Sequence, residues 1–169
     1  LATYVKMNQE FYPNFSQEVL DRCLKDFDLP LSLKLNELSM GQKKKVFMSF
    51  ALATGTRFLL MDEPTNGLDI PSKSQFRKVI ANNMTEDRTL IISTHQVHDV
   101  ESLLDHIIIM NQSQLLLDAS VSDICEKYTF EYRNPQEMDD TVLYAEPTLQ
   151  GNAAICKRQE GEQETQMNL

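Results

Sequence analysis

Long apolar runs are missing from this sequence. None approaches the ~20 residues that a membrane-spanning helix needs, so any membrane association is expected to come through a partner. Basic charge is also scarce. Lys and Arg number 16 against 25 Asp and Glu, and a formal net charge of −9 excludes a broad face for a phosphate backbone, so no nucleic acid is expected as a partner. Cys23, Cys125 and Cys156 are odd in number and far apart, which suggests neither a disulfide framework nor a zinc site and fits a reducing cytosol. Only five glycines are present, Gly41, Gly55, Gly67, Gly151 and Gly161, and none precedes a lysine. The phosphate-cradling loop G-x-x-x-x-G-K-[ST] is therefore not in these residues. The chain also opens on Leu1 rather than methionine, and the expectation is a C-terminal fragment of a longer protein.

What is present centres on Leu38 to Asp69. Leu38-Ser39-Met40-Gly41-Gln42 stands at the mouth of an apolar helix, where backbone N–H groups and the positive dipole end favour an anion such as phosphate. Roughly twenty residues later the apolar run Phe58–Met61 ends in Asp62-Glu63. In a phosphate site the first of two such carboxylates commonly holds Mg²⁺ and the second orients or deprotonates a water. Gly67-Leu68-Asp69 follows, and His95 comes one apolar strand later, after Ser93-Thr94.

This order of motifs resembles the ATP-binding cassette (ABC) family of ATPases over roughly residues 15–125. The resemblance identifies Leu38–Gln42 with the signature LSGGQ, Phe58–Glu63 with Walker B, Gly67–Asp69 with the D-loop and His95 with the switch histidine. Met40 departs from the small residue usual there. It implies ATP and Mg²⁺ as cofactors, Asp62 as the Mg²⁺ ligand, directly or through water, and Glu63 and His95 as catalytic, with His95 reaching the γ-phosphate. Leu38, Ser39, Met40, Gly41 and Gln42 would bind nucleotide held by a second protomer, and Asp69 would report one site to the other. Asp69 equally favours the N-terminus of the next helix. Gln9 is not expected to be the Mg²⁺-sensing glutamine, nor His98 with Asp99 a metal site, and His106 is expected to be structural. Lys43-Lys44-Lys45 reads as a solvated helix face or, alternatively, as positive potential near a nucleotide.

Residues 1–15 read as a short helix or coil ending in a turn, followed by a helix over about 17–27 capped by Ser16. The signature helix should stop at Gly55 and a further helix should run over 72–84 after Pro71. A shorter helix is expected near 97–104. The apolar runs Phe58–Met61, Leu90–Ile92 and Ile107–Met110 predict an α/β fold, part of a P-loop NTPase, with a mostly parallel sheet covered by helices on both sides. Leu115–Leu117 should pair antiparallel with the third run through a turn at Asn111–Ser113, and Ser120-x-x-Asp123 should open a helix. Short β pieces at Thr141–Ala145, Ala153–Lys157 and Glu164–Asn168 predict a β-rich C-terminal extension. The expected division is 1–55 (remnant of a helical subdomain with the signature), 56–128 (C-terminal part of the nucleotide-binding core) and 129–169 (extension).

These readings lead to the ATP-binding and ATP-hydrolysing subunit of an ABC transporter, in a homodimer that powers a separate transmembrane permease subunit. Its place would be cytoplasmic, on the inner face of the cell membrane. The fragment itself is expected to be inactive, and the Phe11–Phe15 stretch resembles exporter-type ATPases. The rivals are a soluble ABC-type ATPase of DNA repair or translation, against which the absence of heptads and of a basic linker counts, and a non-catalytic interaction module built on the C-terminal β pieces.

Overall fold

The computed structural model describes residues 1–159, 161, 165 and 167. They form two compact units, Leu1–Leu103 and Leu104–Leu169. No helix among the described residues is long and apolar enough to cross a membrane.

The first unit begins with α1 (Ala2–Asn8), a 3₁₀ turn (Gln9–Phe11) and α2 (Gln17–Asp26). Ser16 caps α2 by accepting the Val19 N–H at 3.2 Å. Its own N–H donates to the Ala53 carbonyl at 2.8 Å, which satisfies an acceptor that the end of the next helix leaves open. That helix, α3, runs Met40–Ala53 and packs against α2. Leu20, Leu24 and Phe27 of the α2 segment and Val46, Phe50 and Leu52 of α3 are buried, each contributing about 1.5–3 kcal/mol. Tyr4, Tyr12 and Phe15 close on the Phe50 ring with centroids 5.1, 6.0 and 5.4 Å away. Phe47, beside Val46 on α3, is 45% exposed.

Beyond α3 the chain turns at Gly55 with φ +65°. A Cβ there would lie 2.5 Å from the Asn14 carbonyl oxygen, so glycine is needed both for the turn and for the close approach. β1 (Phe58–Asp62) and β2 (Thr89–Ser93) then pair in parallel, with Phe58 opposite Thr89 and Asp62 opposite Ser93. Between them α4 (Ile70–Asn83) starts two residues earlier than expected, is capped by Asp69, and buries Phe76, Val79 and Ile80. The helix expected over 97–104 is instead two 3₁₀ turns, Val97–Asp99 and Glu101–Leu103, around the buried Val100.

Two expectations about the sheet need correction. Among the described residues β1 and β2 form a two-stranded sheet, which the third apolar run does not join. That sheet is covered on one side: Met61 is buried, but Phe58, Leu60 and Ile91 on the opposite face are 59%, 72% and 48% exposed. A continuous apolar run fixes strand character, while its burial depends on whether a second layer is there to pack on it.

In the second unit β3 (His106–Asn111) and β4 (Gln114–Ser120) form an antiparallel hairpin. Gln112 and Ser113 both take positive φ, 47° and 62°, as a two-residue hairpin turn that follows the strand twist requires. Closing this turn engages the third run with its sequence neighbour. α5 (Val121–Lys127) is capped by Ser120, which accepts the Asp123 N–H at 3.0 Å. β5 (Tyr128–Arg133), β6 (Val142–Thr148) and β7 (Gly151–Lys157) make an antiparallel sheet in the order β5-β7-β6. β6 takes in all of the first expected piece but Thr141, β7 contains the second, and β5 was not anticipated. Of the third piece, Glu164, Gln166 and Asn168 lie outside the described residues, while the Phe130 N–H donates to the Thr165 hydroxyl at 2.8 Å.

Candidate functional site

The carboxyl ends of β1 and β2 bring together the residues that sequence singled out. Asp62 accepts a short hydrogen bond from the Ser93 hydroxyl directly across the ladder. Glu63, one residue beyond the strand, has φ +43°, a left-handed conformation that costs a non-glycine residue about 1–3 kcal/mol unless its surroundings over-determine it. They do so here. The Glu63 N–H donates to the Ser93 carbonyl at 2.8 Å, and its own carbonyl accepts from Lys44 Nζ at 3.1 Å. Its carboxylate accepts from the Thr94 hydroxyl at 3.0 Å, from the His95 N–H at 3.0 Å, and lies 2.6 Å from His95 Nδ1.

A carboxylate offers about four acceptor directions, so three donors leave roughly one for a water. The His95 hydrogen bond is the main influence holding the Glu63 carboxyl below the usual carboxylate range; partial burial opposes it, and Thr94 and the His95 N–H add to it. With Nδ1–H on Glu63, His95 Nε2 can donate to a phosphate oxygen only as the imidazolium. The His95 side chain is 69% exposed, against 30% for Glu63.

The amino end of α3 is built separately. Ser39 and Gln42 form a reciprocal capping box, Gln42 N–H to Ser39 Oγ at 3.2 Å and Ser39 N–H to Gln42 Oε1 at 3.0 Å. The N–H groups of Met40 and Gly41 belong to the first turn and have no partner within the helix. Together with the Ser39 hydroxyl proton they supply donors for an anion. Met40 is 73% exposed, and Leu38 enters the helix in extended conformation from a 3₁₀ turn at Leu35–Glu37. Ser39 makes its side-chain hydrogen bond to Gln42 rather than to the Glu63 cluster.

Gly67-Leu68-Asp69 links these two parts. Leu68 is buried, and a Cβ on Gly41 would meet its Cδ2 at 3.7 Å. Asp69 caps α4 by accepting the Ser72 N–H at 2.9 Å, and its hydrogen bonds with Ser72 hold its carboxyl below the usual range. Gly67 adopts φ +77° in open space.

Several residues have partners that the sequence did not reveal. Lys44 and Lys45, expected on a solvated face, are half-buried and engaged. Lys44 Nζ donates to the Asn66 carbonyl at 2.6 Å as well as to Glu63, and Lys45 Nζ donates to Gln75 at 2.8 Å beside the Phe27 ring. Such long-range partners leave no trace in a run of three lysines. Asp99 pairs with Lys73 at 2.8 Å, and Lys73 also donates to Gln96 at 3.1 Å, which anchors the segment after His95 to α4. Burial pushes the Asp99 carboxyl up, but hydrogen bonds from Lys73 and Thr65 and the charges of Lys73 and Arg77 bring it below its ordinary value. His98 pairs with Glu101 at 3.3 Å and His106 with Asp118 at 2.7 Å, and no group of three metal-ligating side chains occurs among the described residues. A cavity of about 470 Å³ lined by Arg22, Arg57 and Arg88 lies at the amino ends of the two strands, away from this chemistry.

The chain is similar to several known proteins. The family model described as "AAA domain, putative AbiEii toxin, Type IV TA system" matches residues 15–98. The zinc uptake system ATP-binding protein ZurA of Listeria innocua is 33% identical over 113 residues, 65% of this chain and 44% of that protein. The energy-coupling factor transporter ATP-binding protein EcfA2 of Mycoplasmoides gallisepticum is 31% identical over 107 residues, 63% of this chain and 31% of that protein. Among solved structures, MJ1267, an ATP-binding cassette of an ABC transporter, matches 61% of this chain and 42% of its own at 26% identity and a TM-score of 0.52. The dimeric structure of MJ0796, a bacterial ABC transporter cassette, shares the fold at 24% identity and a TM-score of 0.53, over 62% of this chain and 46% of its own. The chain thus spans less than half the length of these curated relatives. In its motif order, its α/β fold and these relatives, the chain is similar to the ATP-binding proteins of ABC transporters.

Proposed function

We propose that this chain is the signature- and Walker B-bearing part of an ATPase subunit that hydrolyses ATP and, through ATP-driven dimer closure, powers a separate membrane permease. The observation that carries the reading is Glu63, a strained residue at a strand end whose carboxylate is aimed by Thr94 and His95 and keeps one acceptor direction free.

In this reading Glu63 orients the attacking water. Its lowered proton affinity makes it a weak base while His95 Nδ1 rests on it, and His95 frees Oε1 by turning its ring toward a phosphate. Ser39, Met40 and Gly41 offer donors at the α3 terminus to the terminal phosphate held by a second copy, so a bridging phosphate favours the closed pair over the open one. Leu38 and Gln42 shape that terminus, and Gly67-Leu68-Asp69 lies at the seam. Asp62 suits Mg²⁺: it is an exposed hard oxygen donor beside a second carboxylate, and Mg²⁺ takes few protein ligands and keeps waters and phosphate oxygens. The ion, when bound, neutralises charge on the phosphates.

The cytoplasmic face of a membrane follows from the permease partner.

In the full-length protein, Glu63→Gln is expected to slow ATP hydrolysis by about 10²–10⁴-fold and to accumulate an ATP-bound dimer on size exclusion. An unchanged rate would sink the assignment of Glu63. The 169-residue chain by itself is expected to show no turnover, since its sequence contains no phosphate-cradling loop.

A further inference from the structure

We infer that Lys44 is a positioning residue that ties the amino end of α3 to the main chain carrying Glu63, an inference that rests on the functional reading above. Lys44 lies one turn into α3, three residues after Gly41. Its ammonium donates to two carbonyls at once, that of Glu63 at 3.1 Å and that of Asn66 at 2.6 Å. These carbonyls bracket the turn between β1 and the D-loop, which is otherwise closed by a longer bond from the Asn66 N–H to the Glu63 carbonyl at 3.3 Å.

The choice of residue matters. An ammonium on a flexible stem supplies three donors that rotate independently, so one group can hold two acceptors that point in different directions. A hydrophobic residue of the same length would leave both carbonyls without this partner. The tether also reaches a residue whose backbone needs support: Glu63 sits at φ +43°, and its N–H and carboxylate are already held from the β2 side. Lys44 holds it from the α3 side. Leu68 of the D-loop also lies near the first turn of α3, its Cδ2 3.7 Å from where a Cβ on Gly41 would stand.

The consequence is communication inside one copy. The α3 terminus would meet a nucleotide bound to the other copy, whereas Glu63 acts on its own. A shift of the first turn of α3 therefore reaches the Glu63 main chain through one side chain.

The test compares Lys44→Met and Lys44→Arg in the full-length protein. Without nucleotide, amide exchange at Asn66 and Leu68 should quicken about tenfold in Lys44→Met while Leu24 of α2 stays at its original rate, and Lys44→Arg should stay within about threefold of the original protein. With ATP, kcat should fall about tenfold or more in Lys44→Met at nearly constant KM, again restored by arginine. Unmoved exchange at Asn66 and Leu68, or an undiminished kcat, would overturn the inference. So would faster exchange throughout α2, which would make Lys44 a support of the fold as a whole. If the original protein shows no turnover the functional reading fails instead, and the exchange measurement alone decides the tether.

Discussion

In the unit spanning Leu1–Leu103, Leu20, Leu24, Phe27, Phe76 and Val79 are almost wholly buried, whereas in Leu104–Leu169 the side chains of Ile108, Met110, Leu115 and Leu116 are more than half exposed. Both sets look alike as apolar runs. The difference is that α2, α3 and α4 give the first unit layers to pack on one another, while the β3–β4 hairpin satisfies its backbone by pairing and has little to lean on. A packed unit can hold a costly conformation in place. That is where Glu63 is found, with its amide, carbonyl and carboxylate all engaged.

The comparison can be broken most directly with truncations in the two units. Phe76→Ala is expected to cost about 3–5 kcal/mol in denaturant unfolding, and Ile108→Ala under about 1 kcal/mol. Equal losses would mean that the hairpin is as well packed as the helices. Next in size, Gly55→Ala should cost about 2–3 kcal/mol, because alanine must take a positive φ and would also press on Asn14. A melting temperature that hardly moves would show that the Asn14 approach is soft.

The smallest effect is acidification, which should touch both units alike. The carboxyls of Glu63 and Asp69 in the first unit and Asp123 in the second are held below their ordinary values, chiefly by hydrogen bonds from His95, Ser72 and Ser120 respectively. A carboxyl depressed on folding adds stability that is complete above its unfolded value, about 4, and is lost as pH falls through the lower folded value. Asp69→Asn keeps a good helix cap but removes one such group. It should therefore flatten the loss of stability below pH ~4 while changing the melting temperature at neutral pH by only a few degrees. An identical acid slope in both proteins would show that Asp69 contributes nothing there.

Much of the local architecture was legible. Ser16, Ser39 and Ser120 each announced a helix start, Pro71 lay in the first turn of α4, and the turn after Asn111 closed the hairpin. The meeting of Glu63 with His95 could be anticipated because both follow apolar strands, and parallel pairing puts such ends side by side. What stayed hidden depends on distant partners. The left-handed Glu63 backbone, the Thr94 hydroxyl on its carboxylate and the Lys73–Asp99 pair have no sequence period. The strand β5 was missed because it follows α5 without a glycine or proline to mark the change.

The packing of α2 also determines how the protein meets electrophiles. Cys23 is fully buried there, and desolvation pushes its thiol up to about 11; Cys156 in β7 is buried with its thiol raised as well. Cys125, on α5, is the partly exposed one. A maleimide dye at neutral pH should therefore attach at Cys125 alone, giving the native sequence a single built-in reporter position in its second unit.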